Sequence, residues 1–512
     1  MKDSLPPRIL SEIQPRWKKC HRFKFMRLGA FCALAIPALQ PIWLKVACAD
    51  PFAIQGPGVK ATDYRITVFA TNISYPLGMV QLSDGSLLVA VSQGASFWSS
   101  TGQLIRLADT NHDGIADAPG AVLYNGLPGG QTSLRKFGSL FFVTGQGMGR
   151  PISILRAGAT PDAPLTLVGS INVNYPSGGW EHPHSALNLR PTPGRSGSCD
   201  LFFQLGSDQN FAKTTRAATI SSAQIAGATG TLQGESIYML TLIDSGTNVV
   251  ATNLTRIAKG LRNPAGFAFH PLTGDLYFED NGIDGLVDPN EPLSADELNW
   301  IPAAQIGNGT VPDFGFPTNY TASRTGTVVG GGGVQPLVTF QPLPDPFTGS
   351  ESEGPNDIAF APPAFPEGLN SGIFVGFHGK FDQGGIANEE NPLVYVDLTT
   401  GGYFQFIGND EANIGHLDGL LSTADSLFLA DLTSTGRTGS GGNTGVIYQI
   451  KSLITRLDFR VHGNALELSW PAGVLQQSDG LSGPWSDLPS AISPYSVVFD
   501  LDPFQTFYRT RN

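Results

Sequence analysis

The stretch that decides the fold runs from Gly260 to Gly282, GLRNPAGFAFHPLTGDLYFEDNG, and is followed after a loop by Asp296–Asn299, DELN. The alternating apolar residues Phe267 and Phe269 precede a Pro-Leu-Thr-Gly turn at 271–274, and the apolar residues Leu276, Tyr277 and Phe278 follow it. This pattern predicts two strands joined by a turn. Arg262 and Asn263 stand at the entrance of the first strand and Glu279–Gly282 at the exit of the second. Loops at strand ends often carry the chemistry of a strand-built domain, although the same residues also suit a plain turn and a plain hairpin exit.

The whole string, GLRNPxGFAFxPxTGxLYFExNG…DELN with the turn Phe314–Pro317 (FGFP) after it, closely resembles the central segment of the PQQ-dependent soluble glucose/sorbosone (aldose sugar) dehydrogenases. The resemblance is specific over about 60 residues and thinner over the rest of 60–450. It implies a β-propeller that oxidises a sugar with PQQ and Ca²⁺.

The composition favours a β protein with many loops. Only 14% of the residues are charged, and the chain contains 62 Gly and 38 Pro. No long amphipathic helix is apparent, and the 41% of hydrophobic residues are sufficient for a large core.

The first 49 residues are typical of an export signal. Basic residues between Arg16 and Arg27 precede an apolar run from Leu28 to Leu44, and Ala47-Cys48-Ala49 fits a cleavage site. We therefore expect residues 1–49 to be a signal peptide, the protein to be periplasmic or secreted, and no membrane span to remain after cleavage. Met26 is an alternative start to Met1.

The charge and cysteine content exclude several classes of protein. Residues 1–49 hold 9 of the 31 Lys/Arg and 2 of the 43 Asp/Glu, so the mature chain has 22 basic and 41 acidic residues and a net charge of −19. This charge disfavours nucleic acid and anionic membranes as partners. Cys199 is the one cysteine left, which excludes an intramolecular disulfide and a cysteine metal cluster.

A strand-like phrase recurs six times: a Gly, Asp or Ser, then apolar residues, then a polar or Gly-rich exit. Six such repeats predict a six-bladed β-propeller over residues 50–452, in agreement with the resemblance. The phrases begin at Asp84, Gly138, Cys199, Thr273, Ser371 and Ala424.

The pattern changes after Ile450. Short alternating runs separated by Gly, Pro and Ser turns predict a small β-sandwich-like module over 453–512. No catalytic constellation is visible in it, and we expect Trp470 and Trp485 to belong to its core.

A pair of histidines follows an acidic residue in Glu181-His182-Pro183-His184. The family has an acid–His pair with apolar strand residues five and seven positions after the His, which matches His182 and leaves His184 in reserve. The resemblance makes His182 the general base that takes a proton from the sugar hydroxyl, and a carboxylate such as Glu181 would orient it. A histidine-rich surface loop is the alternative. His378, in a phrase similar to one of the family, is a second pocket candidate or a structural histidine.

PQQ carries three carboxylates, so its pocket needs cations. Arg262 and Asn263 match the family's cofactor-binding pair, and a planar guanidinium suits a carboxylate. A Gln after the second blade's loop also belongs to the family pattern, and Gln131 is the candidate. Lys380 and Arg437 are available for the cationic positions of the last blades, although neither lies in a matching motif.

Two calcium sites are predicted. By resemblance, main-chain carbonyls of Asn281 and Gly282 hold the catalytic Ca²⁺, with Asp296 and Glu297 behind them. The second site is the spacing D-x-N-x-D-G, in which a structural Ca²⁺ would be held by Asp109, Asn111, Asp113, the Ile115 carbonyl and Asp117. Gly120 stands where a bidentate Glu is usual, so we expect modest affinity.

These observations favour an exported PQQ- and calcium-dependent oxidoreductase that oxidises an aldose or related sugar and passes electrons to an acceptor of unknown identity. A non-catalytic propeller that binds carbohydrate or protein is the alternative. A calcium-dependent hydrolase on a similar propeller would need a central cluster of metal-binding side chains, which the sequence does not supply.

Overall fold

Strands dominate the described part of the chain. The computed structural model describes residues 50–287, 291–350, 352–379, 392–411, 414, 416–434, 438–454, 456–498 and 506–511. Within them the helices are two short 3-10 turns, Ala61–Asp63 and Ala303–Gln305, so the prediction of an all-β fold is confirmed. None of the described helical segments has the length and apolarity needed to cross a membrane. The predicted signal peptide, residues 1–49, lies outside the described residues.

The strands fall into three consecutive groups along the chain. The first group is β1 (Tyr64–Ile73), β2 (Pro76–Gln81), β3 (Leu87–Ser92), β4 (Gly102–Leu107), β5 (Ala121–Leu127), β6 (Gln131–Phe137), β7 (Leu140–Gly145), β8 (Ile152–Arg156), β9 (Thr166–Asn174), β10 (Leu187–Pro191), β11 (Ser198–Leu205), β12 (Ala217–Ser221), β13 (Gly230–Gln233), β14 (Ser236–Asp244) and β15 (Val249–Lys259). The second group is β16 (Pro264–Phe269), β17 (Leu276–Asp280), β18 (Glu297–Ile301), β19 (Tyr320–Thr321), β20 (Val328–Val329), β21 (Val338–Thr339), β22 (Pro355–Phe360), β23 (Ile373–Phe377), β24 (Leu393–Val396), β25 (Tyr403–Ile407), β26 (Leu417–Ser422), β27 (Ser426–Asp431) and β28 (Gly445–Ser452). The last group is β29 (Asp458–His462), β30 (Ala465–Ser469), β31 (Val474–Ser478), β32 (Ser486–Asp487), β33 (Tyr495–Val498) and β34 (Phe507–Arg511).

Six antiparallel sheets of at least four strands follow one another along the described residues before 453, and β19 pairs with β20 in a separate two-stranded sheet. In strand order they are sheet 1 (β2-β3-β4-β5), sheet 2 (β6-β7-β8-β9, extended by β12 and β13), sheet 3 (β10-β11-β14-β15), sheet 4 (β16-β17-β18-β21), sheet 5 (β22-β23-β24-β25) and sheet 6 (β26-β27-β28-β1). Sheet 6 thus combines strands from both ends of this region, because β1 pairs with β28 from Tyr64–Ser452 to Ile73–Gly445.

The first strands of the six sheets, β2, β6, β10, β16, β22 and β26, contact one another in cyclic order. Their backbones approach so closely that some positions admit only glycine. A Cβ on Gly78 would collide with the Leu134 backbone nitrogen, and one on Gly419 would collide with the Leu77 carbonyl oxygen. Register shifts also recur near the start of five of these strands, β2, β6, β16, β22 and β26.

The six recurring phrases of the sequence are the second strands of the six sheets, β3, β7, β11, β17, β23 and β27. Each second strand is covered on both faces, so its apolar residues run almost continuously instead of alternating. In β11, Phe202 packs in a cluster with residues of sheet 4, whereas Leu201 and Phe203 pack in a cluster with residues of sheet 2.

The core between residues 50 and 452 consists mainly of layers between consecutive sheets. One layer joins Phe141 and Val143 of sheet 2 to Leu88 of sheet 1, and another joins Phe428 of sheet 6 to Met79 of sheet 1. Each fully buried aromatic or aliphatic side chain contributes about 1.5–3 kcal/mol. These layers hold the ends of the first and second strands in fixed positions.

The described residues after 453 form two three-stranded sheets, β29-β30-β33 and β32-β31-β34. Trp470 is buried with Leu468 and Leu475, as predicted. Trp485 is instead partly exposed, and the Arg509 guanidinium lies 4.3 Å from the centre of its ring. The boundary of this module at 453 stays a prediction.

Candidate functional site

A cavity of about 460 Å³ lies where the first strands of the sheets begin and the second strands end. Antiparallel pairing places these two ends side by side in each sheet, so loops from all six sheets meet there. The volume is in the range of small-molecule sites. The walls are formed by Leu77, Phe97, Trp98, Thr132, Gln146, His182, Ser185, Arg262, Asn263, Ala265, Asn281, Gly282, Asp284, Pro292, Asp296, Glu353, Gly354, Pro355, Asn356, His378, Gly379, His416, Asp418, Leu432 and Thr438.

The Arg262–Asn263 turn is fixed by a buried carboxylate. Asp280, at the end of β17, accepts hydrogen bonds from the backbone N–H groups of Arg262 (3.0 Å) and Asn263 (2.7 Å). Two backbone donors that no strand partner satisfies are thereby paired. As a result Arg262 and Asn263 both line the cavity, and their role in cofactor binding stays a prediction.

The Arg262 guanidinium is buried and has three partners. Its Nη2 lies 2.7 Å from Asp284 Oδ1, its Nε donates to Asn210 Oδ1 at 2.9 Å, and its Nη1 lies 3.4 Å from the Asn281 carbonyl oxygen. Only 5% of the Arg262 side chain is exposed, compared with 42% for Asp284. Arg262 is the one Lys or Arg among the described residues that line the cavity.

His182 also lines the cavity, and its ring is bound on one side only. Ser207 Oγ lies 2.9 Å from Nδ1 of the imidazole and donates its own proton to the Gln209 carbonyl at 2.7 Å. Because the hydroxyl has a single proton, it accepts a hydrogen bond from His182, and Nδ1 carries the hydrogen. Nε2 is therefore the unprotonated nitrogen, and no described residue donates to it.

The electrostatic surroundings keep His182 neutral. Burial of the ring, together with the nearby Arg262 guanidinium, holds its pKa well below the ordinary value of 6.5. The two residues are linked through the exit of β11. The Ser207 N–H donates to the Arg262 carbonyl at 2.7 Å, and a Cβ on Gly206 would lie 2.6 Å from His182 Cβ.

The structure corrects the prediction that Glu181 orients His182, and it gives His184 no role as a reserve base. The Glu181 side chain is exposed and makes no hydrogen bond with the imidazole, because the partner of Nδ1 is Ser207, 25 residues further along the chain. His184 is buried, with Nδ1 2.7 Å from Tyr175 Oη and Nε2 2.6 Å from the Arg150 carbonyl oxygen. Both its nitrogens are occupied, so His184 has a structural role.

Acidic residues crowd the end of sheet 4. Burial raises the pKa of Asp280 to about 7, that of Asp296 to about 6 and that of Glu297 to about 8. Asp296 lines the cavity and accepts the N–H groups of Gly282 (2.6 Å) and Gly354 (2.9 Å). Glu297 lies outside the cavity lining and accepts a hydrogen bond from Asn299.

The predicted calcium ligands are only partly assembled. Asn281, Gly282 and Asp296 line the cavity together, whereas Glu297 does not. Within the described ranges, no three His, Cys, Asp or Glu side chains are grouped in a way that could hold a metal ion. Coordination by main-chain carbonyls, as predicted for Asn281 and Gly282, stays a prediction.

The predicted second calcium loop is compact and mostly exposed. Asp109 accepts the N–H groups of Asp113 (3.1 Å) and Gly114 (2.9 Å), and Asn111 also accepts that of Asp113 (2.9 Å). Asp117 accepts the N–H of Thr110 instead of completing a side-chain cluster. Ile115 is half exposed, and calcium binding here stays a prediction.

Of the three further cofactor candidates, one is placed away from the cavity. Gln131 is buried and its Nε2 donates to the Pro128 carbonyl at 2.5 Å, whereas Thr132 and Gln146 line the cavity. The register shift between Gln131 and Ser133 determines which residue of β6 faces inward. Lys380 and Arg437 lie outside the described residues.

Several cavity residues were missed in the sequence. Gln146 stands at the exit of the second phrase, in VTGQG, and Asp284 follows EDNG by two positions. His416 directly precedes β26, the first strand of sheet 6, and Asp418 is the second residue of that strand. This segment has no motif of its own. His378, the second pocket candidate, does line the cavity, and burial together with His416 lowers its pKa to about 4.

No family model matches this chain. Over 61 residues it is 44% identical to an uncharacterized protein of Borreliella burgdorferi, a match that covers 12% of this chain and 14% of that one. The chain therefore spans about one seventh of the length of the curated relative that it matches.

Among solved structures, the chain is similar to the calcium structure of a Trichoderma reesei carbohydrate-active enzyme of family AA12. The identity is 17% and the TM-score 0.50, over 79% of this chain and 99% of that one. The PQQ-bound aldose sugar dehydrogenase of Streptomyces coelicolor is 15% identical over 76% of this chain and 98% of that one, with a TM-score of 0.45. The similarity to the Trichoderma enzyme shows a shared fold.

Proposed function

We propose that this chain is an exported oxidoreductase that oxidises an aldose or a related sugar by hydride transfer to PQQ, in the presence of Ca²⁺ and with His182 as general base. The observation that carries the proposal is that one cavity holds an imidazole with an unprotonated Nε2 and a buried guanidinium that already holds a carboxylate. These are the two features that oxidation of a sugar hydroxyl by a carboxylate-bearing cofactor needs.

The proposed scaffold is a six-bladed β-propeller over 50–452, followed by a C-terminal β module over 453–512. Six sheets in cyclic contact and the completion of sheet 6 by β1 support this arrangement. The basic and apolar segment in residues 1–49 supports export to the periplasm or the exterior.

The polar residues on the Arg262 side of the cavity support PQQ as its ligand. The Asp284 carboxylate occupies the place of a ligand carboxylate, because the Arg262 guanidinium donates a hydrogen bond to it from the cavity wall. Arg262, Asn263, Gln146 and Thr132 would hold the cofactor. When bound, PQQ supplies a quinone that accepts a hydride.

His182 would act on the sugar hydroxyl. Its Nε2 would accept the hydroxyl proton. A hydride, with its two electrons, would leave the carbon that bears this hydroxyl, so that carbon becomes a carbonyl carbon. Ser207 would hold the ring in the tautomer that leaves Nε2 free for this step. The pKa of His182, well below 6.5, keeps the base unprotonated at neutral pH.

The charge of the cavity supports a divalent cation beside the cofactor. Asp284 is paired with Arg262, the single Lys or Arg among the described lining residues, and the carboxyl groups of Asp296, Glu353 and Asp418 lie in the same lining. Ca²⁺ prefers such oxygen ligands. The carbonyls of Asn281 and Gly282, with Asp296 behind them, would hold it.

The test is reconstitution of the mature protein with PQQ and Ca²⁺, followed by absorbance after aldoses are added. We expect sugar-dependent reduction of bound PQQ in the wild type and in His462→Ala, whose histidine is exposed on β29, and loss of reduction in His182→Ala. Reduction that persists in His182→Ala would refute the base. A chain that binds no PQQ would refute the enzyme and support a non-catalytic propeller that binds carbohydrate or protein.

A further inference from the structure

The carboxylate held by Arg262 belongs to the chain itself, and both of its oxygens are engaged. Asp284 Oδ1 lies 2.7 Å from Arg262 Nη2, and Asp284 Oδ2 accepts a hydrogen bond from Asn210 Nδ2 at 2.9 Å. Asn210 also accepts a hydrogen bond from Arg262 Nε at 2.9 Å. Arg262 and Asn210 together thus form a receptor for one carboxylate.

The two partners of this ion pair are held very differently. Arg262 has only 5% of its side chain exposed and is anchored through its backbone to Asp280 and Ser207. Asp284 has 42% of its side chain exposed and lies in the irregular segment between β17 and β18. A rotation of the Asp284 side chain into solvent would therefore free the guanidinium without moving a strand.

We infer that Asp284 is an internal competitor of the cofactor: it occupies the position on Arg262 and Asn210 that a ligand carboxylate needs, and so weakens the affinity for anionic ligands. The inference rests on the proposed function in taking PQQ as the ligand. It assigns to Asp284 a role in setting cofactor affinity and no role in the transfer of hydride.

Replacement of Asp284 by Asn removes the competing charge and keeps the size of the side chain. The ligand then no longer has to displace a charge-assisted hydrogen bond, so we expect the dissociation constant of PQQ to fall about tenfold. Asp284→Ala leaves no polar group on this side chain, so we expect the dissociation constant of PQQ to fall by at least the same factor.

The experiment is a titration of the whole mature chain with PQQ in the presence of Ca²⁺, followed by quenching of tryptophan fluorescence. Asp487→Asn is a matched control. Asp487 lies 2.7 Å from Arg511, is also 42% exposed, and also accepts a hydrogen bond from an amide, that of Gln476. It lies on β32, outside the cavity, so we expect the affinity of this variant to equal that of the wild type.

Tighter binding of PQQ by both Asp284 variants, with unchanged binding by Asp487→Asn, supports the inference. Equal or weaker binding by the Asp284 variants overturns it, because Asp284 would then be neutral towards the ligand or part of its binding site. If no chain binds PQQ, the proposed function fails. The titration is then repeated with benzene-1,3-dicarboxylate, and the inference requires that it bind more tightly to Asp284→Asn than to the wild type. No binding, or equal binding by the two chains, would refute the inference.

Discussion

Stability at acid pH offers a test of the surroundings of His184. His184 as a residue is 1% exposed. Its Nδ1 accepts a hydrogen bond from Tyr175 and its Nε2 donates one to the Arg150 carbonyl, so both nitrogens of a neutral imidazole are paired. Burial lowers its pKa from 6.5 to about 4. Between pH 6.5 and pH 4, His184 is protonated in the unfolded chain and neutral in the folded chain. The free energy of unfolding therefore decreases as the pH falls from 6.5 towards 4.

The magnitude follows from the two pKa values. Relative to pH 7, the titration of this group lowers the free energy of unfolding by about 1.2 kcal/mol at about pH 5.5 and by about 2.4 kcal/mol at about pH 4.5. His184→Gln removes the titration, and its amide can accept from Tyr175 and donate to Arg150. We expect the variant to be less stable than the wild type at pH 7, and this difference to shrink by those amounts on acidification.

The assay is urea-induced unfolding of both chains at several pH values, followed by tryptophan fluorescence. The other titrating groups cancel in the difference between the two chains. His462→Gln, at an exposed position, should show no pH-dependent difference from the wild type. A difference between wild type and His184→Gln that stays constant from pH 7 to 4.5 would refute the reasoning.

Three further changes have expected outcomes. Gly206→Ala adds a Cβ only 2.6 Å from His182 Cβ. We therefore expect the free energy of unfolding to fall by about 1–3 kcal/mol and PQQ to bind at least about tenfold more weakly. Gly480→Ala, whose new Cβ would lie 3.8 Å from its nearest neighbour, is the control for both measurements. Arg135→Met leaves the buried Asp357 carboxylate, 2.9 Å away, without its counter-charge and should cost about 3–5 kcal/mol in urea unfolding. Arg106→Met, in a more exposed pair with Asp84, should cost about 1 kcal/mol or less, and equal costs would contradict the burial argument. Ser207→Ala removes the acceptor for Nδ1–H of His182, so we expect kcat for sugar oxidation to fall on the order of tenfold while PQQ affinity stays unchanged; an unchanged kcat would dismiss Ser207 as a positioning residue.

The strands of the fold could be predicted well because their signal is local. The six phrases are the six second strands, since a strand covered on both faces needs a continuous apolar run. The first strands are harder to recognise, because their register shifts break the alternation of residues. Gly78 and Gly419 show why: the close approach of neighbouring first strands requires residues that local propensity disfavours in a strand.

Part of the site could be placed from the sequence because one segment determines both the backbone and the side chains. Arg262 and Asn263 line the cavity because Asp280, in the same hairpin, binds their N–H groups. The partner of His182 is Ser207, which only the tertiary fold brings near, so a neighbouring acid such as Glu181 was the wrong choice. Gln131 lies away from the cavity for a different reason. The register of β6 shifts between Gln131 and Ser133, and Thr132 lines the cavity in its place.

The central claim is that one cavity binds PQQ between Arg262 and His182. A crystal structure of the mature chain with PQQ and Ca²⁺ tests this most directly. We predict a cofactor carboxylate on the Arg262 guanidinium, Asp284 displaced from it, and Nε2 of His182 facing the quinone. A cofactor bound elsewhere, or bound in this cavity with the pair of Arg262 and Asp284 intact, would contradict the account.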